Sequence, residues 1–201
     1  MKIFRVFYVV FISLLLIHSG KIMSKERKID QNAKHPKYEI SVTQKGELIG
    51  KIVIETYPEL APLHCRNFDS LVGIGFYDGT AFHRVIPGFM IQGGDPNSKN
   101  KPKETWGIGD PNQKTIPAEF SDVPHKRGIV STARKGNDIN SATSQFFIMV
   151  ADALHLDGQY TVFGKVVTGM DVVDKVVNVP TESPNRPVDK VEMKIKKVND
   201  K

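Results

Sequence analysis

Tyr38, Ile40 and Val42 alternate with Glu39, Ser41 and Thr43, a period of two that predicts a half-buried strand. Lys45-Gly46-Glu47 supplies a turn and Ile52 and Ile54 alternate beyond it, so a hairpin is expected. Pro58 and Pro62 then stand near the start of a helical stretch, where proline is tolerated. Leu60, Leu63, Phe68, Leu71 and Val72 fall near one face of that helix, and Gly73 and Gly75 end it. Further strands are expected over 81–86, 89–92, 129–133, 161–167 and 191–198. The continuous apolar run from Ser144 to Val150 predicts a strand buried on both faces. Val172, Val173, Val176 and Val177 repeat at helical spacing against Asp171, Asp174 and Lys175, which predicts a second short helix over 170–179. Many strands and two short helices point to a mainly β fold, a closed antiparallel barrel capped by the helices, since closure removes exposed sheet edges. The stretch 96–114 is a long polar loop containing Trp106, and loops of that length are usually functional or mobile.

The N-terminus follows another pattern. Lys2 and Arg5 precede a run from Val6 to Ile17 broken only by Ser13, the layout of an export signal. The run is short for a membrane-spanning helix, and no small-x-small cleavage motif follows it. An uncleaved anchor, or initiation at Met23, are the competing readings. The organisation expected is a leader or anchor over 1–20, a polar tether over 21–37 and one folded domain over 38–199. An exported destination follows, the periplasm of a bacterium or a secretory route.

Charge adds a restriction. The formal net charge is +6, but Lys2, Arg5, Lys21, Lys25, Arg27 and Lys28 against Glu26 place +5 of it in residues 1–28. The folded part is left with about +1, which argues against a phosphate-binding surface and so against nucleic acid as a partner. Cys65 is the only cysteine, so an intramolecular disulfide and a cysteine-based metal site are excluded. Within an apolar helix it reads as a small buried hydrophobe.

Candidate chemistry concentrates in three stretches. They are Phe82-His83-Arg84-Val85-Ile86-Pro87-Gly88-Phe89-Met90-Ile91-Gln92-Gly93-Gly94-Asp95, Ser144-Gln145-Phe146-Phe147-Ile148, and Leu156-Asp157-Gly158-Gln159-Tyr160-Thr161-Val162-Phe163-Gly164. Strand alternation puts Phe82, Arg84 and Ile86 on one face, Met90 and Gln92 on one, and Gln145 and Phe147 on one. Several strands thus offer a polar group beside apolar bulk, the usual build of a small-ligand site. The bland alternative is a surface arginine above core aromatics.

Together these stretches closely resemble the cyclophilins, over about residues 38–198. The resemblance implies an eight-stranded barrel and peptidyl-prolyl cis/trans isomerase activity on proline-containing polypeptides, with no cofactor and no metal. It implies that Arg84 points at the prolyl amide and that Gln92 contacts the substrate carbonyl. Phe89, Met90, Phe147 and Leu156 correspond to the pocket for the proline ring, and Gln145 lines the same groove. Ala133, Arg134 and Lys135 correspond to a main-chain edge that pairs with substrate backbone. His155 stands where vertebrate cytosolic members have a tryptophan, and Tyr160 where they have a histidine, so weak cyclosporin binding is expected. Arg134 replaces an asparagine, and the segment 134–143 is slightly longer. A monomer is expected.

Two other functions compete. A non-catalytic binder of proline-containing segments would use the same groove, but the presence of Arg84 beside Gln92 and Phe147 favours the enzyme. A hydrolase using Ser144 or Cys65 with a histidine finds no G-x-S-x-G elbow, and His64, His83, His125 and His155 lack H-E-x-x-H spacing.

Overall fold

The computed structural model describes residues 28–182 and 184–198. The expected leader and residues 21–27 of the expected tether lie outside the described residues. Residues 30–36 lie against the domain: His35 Nε2 meets Glu59 Oε1 at 2.9 Å, and the Thr56 N–H donates to the Pro36 carbonyl at 3.0 Å.

β1 (Lys37–Gln44) and β2 (Glu47–Thr56) form the expected hairpin, turning through Lys45 and Gly46 at positive φ. Next come α1 (Pro62–Gly73), β3 (Thr80–Ile86), β4 (Met90–Gly93) and a four-residue helical turn, α2 (Asn97–Asn100), inside the long polar loop. β5 (Ile129–Thr132), β6 (Phe146–Met149), β7 (Val162–Thr168) and α3 (Met170–Val177) follow. A small hairpin, β8 (Thr181–Glu182) with β9 (Arg186–Pro187), precedes β10 (Val191–Val198). Eight strands close into an antiparallel barrel in the order β1-β10-β3-β4-β6-β5-β7-β2. The mainly β barrel is the expected fold. The two expected helices are α1 and α3, and α2 and the β8–β9 hairpin are additions.

Strand alternation divides the residues between two clusters. Ile40, Ile52, Ile54, Ile91, Val130, Ile148 and Val191 belong to the main core, which α1 joins through Cys65, Phe68 and Val72 and α3 through its four valines. Phe68 packs its ring against Tyr38, Tyr77, Phe146 and Phe163, so truncating it to alanine would cost about 3–5 kcal/mol. The alternate residues of β4, β5 and β6 build a second, smaller cluster of Met90, Ile129, Phe147 and Met149 with Ala153, Leu156 and Val162.

Two expectations need correction. Phe82 does not share a face with Arg84 and Ile86. A register shift between Phe82 and Arg84 in the β3–β4 ladder inserts an extra residue, so Phe82 enters the main core with Val85 while Arg84 and Ile86 turn the other way. Leu63 is 40% exposed, and the buried stripe of α1 is His64, Cys65, Phe68 and Val72. Its cause is a remote cap. Ala61 offers no side-chain cap, and the buried Glu119 carboxylate accepts instead from the Leu63 N–H (3.0 Å), the His64 N–H (3.1 Å) and His64 Nδ1 (2.8 Å). That pulls His64 inward and leaves Leu63 outside.

Candidate active site

The second cluster is the floor of a groove. Arg84, Phe89, Met90, Gln92, Ala133, Arg134, Phe147, Leu156 and Tyr160 line one cavity of about 190 Å³. Nine of the twelve residues singled out from the sequence therefore meet there, and Lys135 lines the neighbouring cavity. They arrive from several elements: β3 brings Arg84, β4 brings Met90 and Gln92, β6 brings Phe147, and the 3-10 turn Leu154–Leu156 brings Leu156. Gln145 lines the adjoining cavity of about 380 Å³, which shares Gln92, Ala133 and Arg134 with the first. His155 lines neither cavity. It is exposed and stacks on the Phe89 ring, centroids 6.0 Å apart.

A chain of hydrogen bonds fixes the polar side of the groove. Arg84 Nη1 donates to Gln92 Oε1 at 3.2 Å, Gln92 Nε2 to Gln145 Oε1 at 3.0 Å, and Gln145 Nε2 to the Gly107 carbonyl at 3.1 Å. The last link ties the long loop to the site. That loop is itself organised by fully buried Asp95, which accepts from the N–H groups of Asn97 (2.9 Å), Gly107 and Gly109 (3.3 Å). Gly94 allows the close approach: at φ 83° a Cβ there would lie 2.8 Å from the Ser144 carbonyl oxygen.

The Ala133–Lys135 edge is partly occupied. The Ala133 N–H donates to the Gln145 carbonyl (2.9 Å) and the Lys135 N–H to Ser141 Oγ (2.8 Å). The Arg134 N–H and the Ala133 carbonyl have no partner among the described residues. The Arg134 side chain is a strap. Its guanidinium lies 4.7 Å over the Tyr160 ring and donates to the carbonyls of Gln159, Lys135 and Gly136. Tyr160 in turn stands edge-on to Phe147 at 5.6 Å.

A cavity of about 190 Å³ with the Arg84 guanidinium held by Gln92 in its lining is what these residues build. The family model for cyclophilin type peptidyl-prolyl cis-trans isomerases matches residues 16–199. This chain belongs to the cyclophilin-type peptidyl-prolyl cis-trans isomerase family. A probable peptidyl-prolyl cis-trans isomerase of Brucella abortus is 52% identical over 131 residues, 63% of this chain and 66% of that protein. The chain thus spans just under two thirds of that relative's length. A peptidyl-prolyl cis-trans isomerase of Acinetobacter baylyi is 45% identical over 164 residues, 75% of this chain and 83% of that one. Among solved structures, a cyclophilin-type isomerase of Cryptosporidium parvum aligns with a TM-score of 0.74 at 29% identity, covering 84% of this chain and 100% of that one. The same isomerase was solved in the presence of the dipeptide Ala-Pro, and that structure aligns with a TM-score of 0.71 at 28% identity, covering 82% and 99%.

Sequence reasoning passed over several residues that shape this cyclophilin groove. Asp95 closes the quoted Gln92-Gly93-Gly94-Asp95 stretch, and an Asp with Asn two positions on is a turn signal that marks it in retrospect. His125, Ser131 and Asp157 form a hydrogen-bonded chain beneath Phe147, and no local pattern connects them.

Proposed function

We propose that this cyclophilin rotates X–Pro peptide bonds in flexible polypeptide segments, with Arg84 as the group that serves the transition state. The X–Pro bond is a tertiary amide whose cis and trans forms lie close in energy, separated by roughly 18–20 kcal/mol of lost resonance. At the twisted transition state the nitrogen becomes pyramidal and gains a lone pair. A guanidinium donor aimed at that nitrogen bonds the twisted form better than the planar one, which is differential binding aided by charge. An acceleration of about 10⁵ requires about 7 kcal/mol off the barrier. A pocket of Phe89, Met90, Phe147 and Leu156 around the ring keeps water out and strengthens the electrostatic part.

The observation that carries this reading is the bond from Arg84 to Gln92, made at the mouth of that pocket. It orients the guanidinium before substrate arrives and uses one donor of a group that has five. A holdase needs the apolar pocket but not the aimed cation, so the arrangement favours the enzyme. The deciding assay follows cis-to-trans conversion of an Ala-Pro peptide at sub-stoichiometric protein. Turnover supports the enzyme, and binding without turnover supports the holdase.

Export behind residues 1–20, action as a monomer and weak cyclosporin binding complete the proposal. Support for export is the charged start, the apolar run and the near-neutral remainder of the chain. N-terminal sequencing of the native protein tests it. A mature cytosolic protein beginning at Met1 or Met23 overturns it.

A further inference from the structure

Ser131, His125 and Asp157 stand at the distances of a nucleophile–base–acid relay. Ser131 Oγ lies 3.0 Å from His125 Nε2, and His125 Nδ1 lies 2.9 Å from Asp157 Oδ1. Ser131 and His125 are both wholly buried, so no substrate carbonyl reaches the hydroxyl. Hydrolysis is not what these residues do.

Their surroundings give them another task. The His125 backbone N–H also donates to Asp157 Oδ1, at 2.7 Å, and the His125 carbonyl accepts from the Ala153 N–H at 2.8 Å. His125 therefore clamps both ends of the turn that delivers Leu156. Its ring stacks beneath Phe147, centroids 6.2 Å apart and planes 19° from parallel. Ser131 is the ladder partner of Phe147. One imidazole thus holds two walls of the 190 Å³ cavity, Leu156 and Phe147.

We propose that His125 is a positioning residue for the prolyl pocket, and that its neutral form is linked to the pocket's occupation. The inference rests on the isomerase reading of the groove. The hydrogen bonds define the tautomer: Nδ1–H donates to the Asp157 carboxylate, and Nε2 accepts from the Ser131 hydroxyl. A second ring proton would occupy Nε2, force the Ser131 hydroxyl to turn and leave a buried cation under Phe147. Titratable groups facing the ring are Asp157, which favours its charge, and His155, which opposes it. β5 and β6 contribute only Ile, Val, Ser, Thr, Phe and Met. Lys126 and Arg127 flank His125 in sequence, and Arg127 is turned to Asp174. Burial outweighs Asp157 and holds the imidazole below its ordinary value. A proline ring over Phe147 dries the region further and disfavours the cation more. By reciprocity, protonation weakens peptide binding.

The test combines three measurements on the full chain. Nitrogen-resolved NMR follows the His125 ring through a pH titration with and without the tetrapeptide Ala-Ala-Pro-Phe. Exchange NMR gives kcat and KM for the same peptide across that range. The third measurement repeats the kinetics on His125→Leu and His125→Asn. The peptide moves the ring titration to lower pH, and KM rises in acid at the free protein's midpoint while kcat holds. His125→Leu lowers kcat/KM about ten- to a hundredfold, the scale for a slightly misplaced pocket. His125→Asn keeps a donor to Asp157 but cannot titrate, so it recovers most of the loss and has no acid rise in KM. A ring titration indifferent to peptide overturns the proposal, and the wild-type measurement decides this even where a variant fails to fold. An acid rise in KM that persists in His125→Asn also overturns it. Neither result touches the isomerase reading, which fails only if wild-type protein does not turn the peptide over.

Discussion

Arg84 and Gln92 face each other across the β3–β4 ladder, and the guanidinium reaches the amide oxygen at 3.2 Å. The glutamine has a second engagement, with Gln145, and so cannot swing to follow the arginine. Arg84→Ala is expected to lower kcat/KM by about 10²–10³, the scale for losing one aimed transition-state donor. The thermal midpoint should stay within a few degrees, because the half-buried Arg84 belongs to neither apolar cluster. Gln92→Leu leaves the charge but frees it, and a smaller loss of roughly tenfold is expected. Exchange NMR on a proline peptide with parallel melting curves checks both. Near-normal turnover in folded Arg84→Ala rules out the mechanism.

His155 should set the response to cyclosporin. It is exposed and stacked on Phe89, so a larger ring there would extend the apolar wall of the groove. Trp106 offers no substitute: it lines neither cavity, and its indole Nε1–H donates to the Lys101 carbonyl at 2.9 Å within its own loop. Replacing His155 by Trp adds roughly 50–100 Å² of contact, worth about 1–3 kcal/mol. Inhibitor titration is expected to show weak inhibition of wild type and about ten- to a hundredfold tighter inhibition of His155→Trp. Inhibition of wild type at low-nanomolar drug contradicts this role.

Acid should destabilise the domain through its buried histidines. Burial lowers the pKa of His64 and His125, and that of His83 from 6.5 to about 4. Among the described residues neither ring nitrogen of His83 has a hydrogen-bond partner, and burial outweighs the Asp95 carboxylate, which favours a charged ring. As pH falls through about 6.5 the unfolded chain binds protons that the folded one refuses, so stability is full above that pH and declines below it. For His83 the decline continues down to about 4, and the difference amounts to about 3 kcal/mol. Urea unfolding of wild type and His83→Leu at neutral and acid pH checks it. The variant should lose less stability on acidification; identical pH slopes would exclude His83 as a contributor.

Glu119 should matter for stability through the start of α1. It accepts from three donors at the start of α1, which has no cap of its own. Glu119→Ala is expected to cost about 2–4 kcal/mol, since it strands buried donors and the His64 ring. Chemical denaturation measures that cost. A change under about 0.5 kcal/mol would place the capping elsewhere.

Strand periodicity made the barrel legible because each strand is half of a two-faced wall, and both faces are apolar where the groove lies. It misled at Phe82, where an extra residue in β3 reversed the parity, since alternation counts residues and cannot see a bulge. It also misled at Leu63, whose outward turn is dictated by Glu119, 56 residues away. The motif stretches supply seven residues of one cavity, and Ala133 and Arg134 join them from outside those stretches. His125, Ser131 and Asp157 stayed invisible because only the folded chain brings the 3-10 turn beside β5, and each looks ordinary where it stands.

The groove lies on the outer wall of a barrel whose interior is filled by the neighbouring residues of the same strands. Met90 and Gln92 flank Ile91 in β4, and Phe147 precedes Ile148 in β6, yet Ile91 and Ile148 pack in the main core while Met90 and Phe147 pack in the second cluster. Recognition and folding are therefore interleaved along the chain but separated in space. A library confined to Met90, Gln92, Gln145 and Phe147 would sample new substrate preferences while Ile91 and Ile148 keep the barrel shut. The boundary of such a library is His125, where the outer wall begins to carry its own architecture.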